Sequence, residues 1–116
     1  MLDTAAKKYN VPVILSGDLN SSKENAQGMG GYDELVSLGF SDVRTTAADS
    51  DTSHTIHTYP TRGEDGKYTC DEMPSKTLDY VFTYGAAVDV LKFRVLTSAD
   101  ALASSDHCPM IAEFDV

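Results

Sequence analysis

The chain has 116 residues, a length that fits one domain and leaves no room for two. It carries 18 acidic and 9 basic residues, a formal net charge of −9. That charge argues against tight, sequence-independent binding of nucleic acid, which depends on Lys and Arg neutralising phosphates. Two cysteines, Cys70 and Cys108, are too few for a disulfide framework or a zinc site. No apolar run approaches the about 18–20 residues of a membrane span.

The chain begins with a predicted helix followed by a strand. Four apolar residues have the spacing i, i+3, i+4, i+7, which predicts one apolar face of a helix that ends near Asn10. These four are Leu2, Ala5, Ala6 and Tyr9. Residues 11–15 are apolar on both faces and favour a buried central strand, with Pro12 tolerated at its start. Residues 16–20 form the carboxyl end of that strand and the loop beyond it.

The middle of the chain is mostly predicted loop. Residues 21–31 are polar and rich in glycine, and they precede a two-turn helix at 32–38 that the glycine after it would end. Residues 45–53 are small, polar and acidic, and we expect a loop there. A strand is expected at 55–59. The stretch 61–76 is a long charged loop, and loops of that length inside a domain are usually functional or mobile.

Three strands are predicted in the last third of the chain. Apolar and polar residues alternate in 78–83, in 91–95 and in 110–114, and this alternation is typical of strands with one buried face. Two helices and about five strands indicate a layered α/β (or α+β) fold. We expect one mixed β-sheet with helices on one face.

The first polar cluster lies at the end of the first strand. Residues 17–20 read Gly-Asp-Leu-Asn, so Asp18 and Asn20 are two positions apart and point to the same side of an extended chain. Open α/β sheets bind ligands at the carboxyl ends of their strands. The alternative is an ordinary Asx-turn, because Asp and Asn are common turn residues.

The second candidate is Asp79, which stands between Leu78 and Tyr80 in an otherwise apolar strand. An ionised carboxylate in such a strand is costly unless it is paired or hydrogen-bonded. The alternative is an edge strand in which the Asp79 side chain faces water.

The third cluster is the polar segment just before the last strand, which contains Asp106 and His107. A histidine that acts as a base needs a carboxylate to fix its tautomer, and Asp79 can meet His107 if their strands are neighbours. Asp18, Asn20 and Asp106 would then supply oxygen ligands for a hard divalent cation and contacts to a phosphoryl group. The alternative is a solvated loop with an unremarkable histidine.

Three segments together carry a resemblance to a known family. Residues 13–20, 77–82 and 105–110 contain the motifs GD[FL]N, [IL]DY[IV]F and SDHxP in this order. The chain thereby resembles the endonuclease/exonuclease/phosphatase superfamily, which has the deoxyribonuclease-I-like fold. The resemblance extends from about Asn10 to Val116.

The resemblance implies a role for each of the five polar residues. Asp18 resembles the acid that activates the attacking water or protonates the leaving group. Asn20 resembles the amide that holds the scissile phosphate, and Asp79 the partner that orients the histidine. His107 resembles the residue that acts on the phosphoryl group as base or electrostatic stabiliser. Asp106 resembles a carboxylate close to the metal, and Asp18 is its neighbour there.

The resemblance covers the C-terminal half of the family's domain. We therefore expect residues 1–116 to be a single partial domain, half of a four-layer α/β sandwich. The family's other half normally brings the glutamate that is the main Mg²⁺ ligand, and no matching strand-Glu motif occurs here. Mg²⁺ (or Mn²⁺) is consequently expected to bind this chain weakly, because Mg²⁺ gives up its waters reluctantly.

The function that follows from the resemblance is metal-dependent hydrolysis of a phosphate ester by the longer parent protein, with this chain alone inactive. The substrate can be a nucleic acid, a phospholipid or a small phosphate ester. The negative net charge of the chain favours the last two over duplex DNA. The alternative is a catalytically inactive, self-associating fragment or binding module. The localisation stays open, because the natural N-terminus is expected to be missing.

A homodimer is expected if the predicted sheet leaves one apolar face bare. A two-fold interface is the commonest way to bury such a face, and we expect it to be largely apolar. The residues expected on that face are Leu78, Tyr80, Phe82, Leu91, Phe93, Met110, Ala112 and Phe114.

Overall fold

The computed structural model describes residues 2–22, 30–50, 58–65, 67–69 and 76–116. Within them the helices are α1 (Leu2–Tyr9), α2 (Gly30–Ser37), α3 (Val43–Thr46) and α4 (Ala99–Ser104). The strands are β1 (Pro12–Asp18), β2 (Ser41–Asp42), β3 (Asp49–Ser50), β4 (Thr61–Arg62), β5 (Tyr68–Thr69), β6 (Asp79–Gly85), β7 (Asp89–Val95) and β8 (Met110–Asp115).

The first sheet has three strands in the order β1-β6-β2, and both pairings are antiparallel. In the β1–β6 pair the register extends from Pro12 opposite Gly85 to Asp18 opposite Asp79. The two aspartates therefore lie across from each other at one end of this strand pair.

The second sheet has the order β3-β7-β8, with β3 parallel and β8 antiparallel to β7. Arg94 of β7 donates two hydrogen bonds to the carboxylate of Asp49 in β3, each with an N–O distance of 2.7 Å. These bonds to the guanidinium lower the pKa of Asp49. A separate antiparallel hairpin joins β4 and β5.

The alternating side chains of β6 bind the layers together. Tyr80 and Phe82 are buried on one face and pack with Tyr32 and Leu35 of α2. Val81 points to the opposite face, where its cluster includes Phe93 and Val95 of β7. The described residues therefore form three layers, namely α2, the first sheet and the second sheet.

The α/β layered fold class is confirmed, and the expectation of one mixed sheet is wrong. The predicted strands are divided between two sheets, because β6 and β7 are consecutive without pairing with each other. Gly85 has φ +89° at the end of β6, a conformation that turns the chain from one sheet to the other.

Most predicted elements are confirmed. The helix before Asn10, the helix that precedes Gly39 and the three late strands are all present. Gly39 has φ +93°, as expected of a glycine that ends a helix. The strand at 11–15 is also present, but β1 pairs with β6 alone among the described residues, and Ile14 is 47% exposed. The prediction of a central strand buried on both faces is therefore wrong for the structure described.

Several predicted loops contain short elements instead. The stretch 45–53 includes the end of α3 and all of β3, and the stretch 61–76 includes the β4–β5 hairpin. Of the strand expected at 55–59, only 58–59 is described, and Tyr59 forms a single antiparallel bridge with Lys76. Residues 23–29, 51–57 and 70–75 lie outside the described part of the chain.

Much of the apolar sheet face on which the expected homodimer depends is buried within the chain itself. Tyr80 and Phe82 are 3% and 1% exposed beneath α2, and Phe93 is 2% exposed between the sheets. The homodimer itself stays a prediction. In the described part of the chain, no helix is long and apolar enough to span a membrane.

Candidate active site

Asp18 and Asp79 end neighbouring strands and face each other across the first sheet. Asp18 is the last residue of β1 and Asp79 the first of β6. Oδ1 of Asp18 accepts the backbone N–H of Asn20 at 2.7 Å, and Asn20 has φ +48°. This is the Asx-turn that the sequence offered as an alternative, and it fixes the exposed Asp18 carboxylate at the sheet edge.

Asp79 holds the imidazole of His107. Nδ1 of His107 lies 2.7 Å from Oδ2 of Asp79, and the two side chains are 27% and 17% exposed. Asp79 begins the central strand of its sheet and points to a partner, so the solvent-facing alternative is wrong. The backbone N–H of His107 donates to Oγ of Ser105 at 3.0 Å, which orders the loop that carries the histidine.

The structure brings three of the five candidate residues together. One ligand atom each from Asp18, Asp79 and His107 lies within 4.8 Å of the others. Asp106 is exposed and is not part of this group, although its charge acts on His107. Asn20 is also exposed, and its backbone is the part that contacts Asp18.

The acidic surroundings raise the pKa of His107. The largest cause is the hydrogen bond to Asp79, and partial burial of the ring opposes it. The negative charges of Asp79, Asp18 and Asp106 raise the pKa further. A larger fraction of His107 is therefore protonated near neutral pH than of an ordinary histidine.

Thr58 positions both partners of this pair, and sequence reasoning missed it. Its side chain is fully buried, and its Oγ1 accepts the backbone N–H groups of Leu78 and Asp79, each at 3.0 Å. Its carbonyl oxygen accepts the backbone N–H of Cys108 at 2.7 Å. One residue thus joins the start of β6 to the loop of His107.

Tyr59 continues the same segment and forms a wall of the site. Its ring lies against the imidazole of His107, with 5.1 Å between the ring centroids. The two backbone hydrogen bonds between Tyr59 and Lys76, of 2.8 and 2.9 Å, hold this wall in position.

Two solved structures share the arrangement of this chain. The first is the mannosyl-6-phosphatase Bt3783 of Bacteroides thetaiotaomicron VPI-5482, with a TM-score of 0.67 and 20% identity. The second is an endonuclease/exonuclease/phosphatase family protein from Leptotrichia buccalis C-1013-b, with a TM-score of 0.63 and 22% identity. The chain has the fold of part of an endonuclease/exonuclease/phosphatase domain. The resemblance predicted from three sequence motifs is confirmed for the fold.

The match covers 99% of this chain in both cases, but 42% of the mannosyl-6-phosphatase and 41% of the Leptotrichia protein. This chain therefore spans about two fifths of the length of the two structures that it matches. No family model and no curated protein matches the sequence.

Proposed function

We propose that residues 1–116 are the C-terminal half of a metal-dependent phosphoesterase domain and supply its residues Asp18, Asn20, Asp79 and His107. The observation that carries this proposal is the 2.7 Å contact between Asp79 and His107, with Asp18 in the same group. It is supported by the fold shared with a phosphatase and with an endonuclease/exonuclease/phosphatase family protein.

The contact with Asp79 determines how His107 acts. Because the carboxylate accepts the proton on Nδ1, the second ring nitrogen, Nε2, is the one available to a substrate. The raised pKa favours the protonated ring, so Nε2–H donates to a phosphoryl oxygen and stabilises the charge that develops there.

Asp18 acts on the attacking water in this proposal. Its carboxylate is exposed at the end of β1 and takes a proton as the water oxygen bonds to phosphorus. The bond between phosphorus and the ester oxygen breaks, and the leaving alkoxide takes its proton from solvent water. The amide of Asn20 donates a hydrogen bond to another phosphate oxygen. In this proposal His107 is the hydrogen-bond donor and Asp18 the proton acceptor.

The donor set of the site fits a hard cation that keeps most of its water. Asp79 and His107 already use one atom each on the other, and one oxygen of Asp18 accepts the Asn20 N–H. The remaining oxygen of Asp18 would hold Mg²⁺ or Mn²⁺ weakly, with Asp106 as the further carboxylate that the resemblance implies. Such a cation supplies positive charge at the phosphoryl oxygens.

Hydrolysis of nitrophenyl phosphate and bis-nitrophenyl phosphate tests the proposal. We expect activity with Mg²⁺ or Mn²⁺ in the longer protein that contains this chain, loss of that activity with EDTA or in His107→Gln, and no activity in the 116-residue chain. Lys8→Gln on α1 is the control and should retain activity. An inactive longer protein would favour the alternative, a binding module without catalysis.

Two finer parts of the proposal need their own measurements. Phospholipid and small phosphate esters are preferred over DNA because the chain has a net charge of −9. A nuclease assay on duplex DNA beside the phosphatase assay distinguishes these substrates.

The homodimer is tested by light scattering at micromolar concentration, where a monodisperse species of 12.5 kDa would contradict it.

A further inference from the structure

A cleft of about 480 Å³ opens directly beside the candidate site. Residues of the β4–β5 hairpin line this cleft together with Tyr59, Lys76 and Asp106. Tyr59 also packs on the imidazole of His107, so the cleft and the Asp79–His107 pair share a wall. A group bound in the cleft is therefore next to the reacting phosphate of the proposed function.

The cleft contains two cationic side chains, Arg62 and Lys76, both exposed. The ion pairs within the described residues engage other cations, and the guanidinium of Arg62 lies over the ring of Tyr68 at 5.5 Å. Asp106 is the carboxylate among the residues that line the cleft, which leaves an excess of one positive charge. A positive cleft in a chain with a net charge of −9 is a local exception to the overall charge.

We infer, on the basis of the proposed function, that this cleft binds the alcohol part of the substrate and that Arg62 and Lys76 bind a second phosphate on it. The substrate class is then a sugar bisphosphate or a similar small ester with two phosphates. The rings of Tyr59 and Tyr68 offer apolar surface to the sugar between the phosphates. Asp106 offers an acceptor for a sugar hydroxyl.

A small bisphosphate fits this cleft better than an oligonucleotide does. The volume of the cleft, about 480 Å³, lies in the range of pockets that bind small molecules, about 300–1,000 Å³. A nucleic acid would extend beyond the cleft over a surface whose net charge is negative, and repulsion would oppose its binding. The second phosphate of a small ester contacts the two cations alone.

Binding of fructose bisphosphate and fructose monophosphate to the 116-residue chain tests the inference by calorimetry and by NMR. We expect the bisphosphate to bind about three- to tenfold more tightly, because two exposed cations contact the added phosphate. The double variant Arg62→Gln/Lys76→Gln should bind both sugars equally. Lys67→Gln is the matched control, since Lys67 belongs to the same hairpin segment and pairs with Asp65 at 3.5 Å.

Each outcome of this experiment has a defined meaning. Equal affinity for the two sugars, no binding of either, or a preference that persists in the double variant would overturn the inference. Tighter binding of a short single-stranded oligonucleotide than of fructose bisphosphate would overturn it too. Failure of the proposed function is separate, because it is seen as absence of nitrophenyl phosphate hydrolysis by the longer protein, a reaction that does not need a second phosphate.

Discussion

The β1–β6 strand pair has two ends that are stabilised in different ways. At one end Asp18 faces Asp79, and like charges directly opposite each other destabilise a sheet. Hydrogen-bond donors from two loops compensate, namely the N–H of Asn20 and the imidazole of His107. The site end therefore depends on polar partners that lie outside the two strands.

At the other end, Pro12 faces Gly85, and the structure leaves no room for a side chain at Gly85. A Cβ atom on Gly85 would lie 2.9 Å from the carbonyl oxygen of Val11 and 3.1 Å from Cβ of Ala6. The two ends of the strand pair therefore tolerate different substitutions. The site end is sensitive to the loss of a polar atom, and the turn end to the gain of a methyl group.

The largest effect is expected from removing the carboxylate at the site end. Asp79→Ala in the longer protein should lower kcat by about 10²–10⁴, the range for loss of acid–base assistance, because His107 loses its orientation and its charge partner. KM should change little. Asp89→Ala, which removes an exposed acid near the turn end, is the matched control. Near-normal kcat in the Asp79 variant would contradict the role of the pair.

A buried hydrogen-bond acceptor is the next most sensitive feature of the site end. Thr58→Val keeps the shape of the side chain and leaves the N–H groups of Leu78 and Asp79 without their acceptor, which should lower the free energy of unfolding by about 2–4 kcal/mol. Chemical denaturation measures this change. Thr58→Ser keeps the hydroxyl and should lose less stability than Thr58→Val, and the reverse order would contradict the positioning role.

At the turn end the sensitive change is an added methyl group. Gly85→Ala should lower the free energy of unfolding by about 1–3 kcal/mol, because Gly85 has φ +89° and the new Cβ meets the Val11 carbonyl. Gly30→Ala is the control, since nothing lies within 4 Å of its added Cβ. Thermal unfolding compares the two variants, and equal stability would show that the turn tolerates a side chain.

The sequence predicted the long strands and the contact between Asp79 and His107, because alternation within a strand and short motifs are local signals. The alternation in 78–83, 91–95 and 110–114 marks which side chains share a face. Three short motifs, each at the end of a strand or just before one, pointed to Asp18 and to the contact between Asp79 and His107. That contact is the 2.7 Å hydrogen bond in the structure.

What the sequence did not predict depends on distant partners or on very short elements. Alternation does not reveal which strand is the neighbour, so the separation of β6 and β7 into two sheets was missed. Strands β3, β4 and β5 have two residues each, which is too few for an alternation of apolar and polar residues to be recognised. Helix α4 has six residues, and Ser98 as its N-cap was the available signal. The partners of Thr58 are 20 and 21 residues away.

The titration of His107 gives the smallest and most specific effect at the site end. Asp79→Asn removes the negative charge that makes the hydrogen bond favour the protonated ring, so the midpoint of the His107 ring signal should fall, whereas Asp106→Asn should lower it less. NMR measures these midpoints, and substitution of His54 and His57 assigns the signals. An unchanged midpoint in Asp79→Asn would mean that the Asp79 carboxylate does not raise the pKa of His107 in solution.

The same pair makes stability depend on pH in a defined direction. A histidine whose pKa is raised by folding contributes stability that is fully present below its unfolded value of about 6.5 and is lost as pH rises through the folded value. The difference in unfolding free energy between the wild type and Asp79→Asn should therefore shrink over the window in which pH rises from about 6.5 through the folded pKa of His107. A difference that grows with pH in this window would mean that folding lowers the pKa of His107. The pairing with Asp79 would then not be the interaction that determines this pKa.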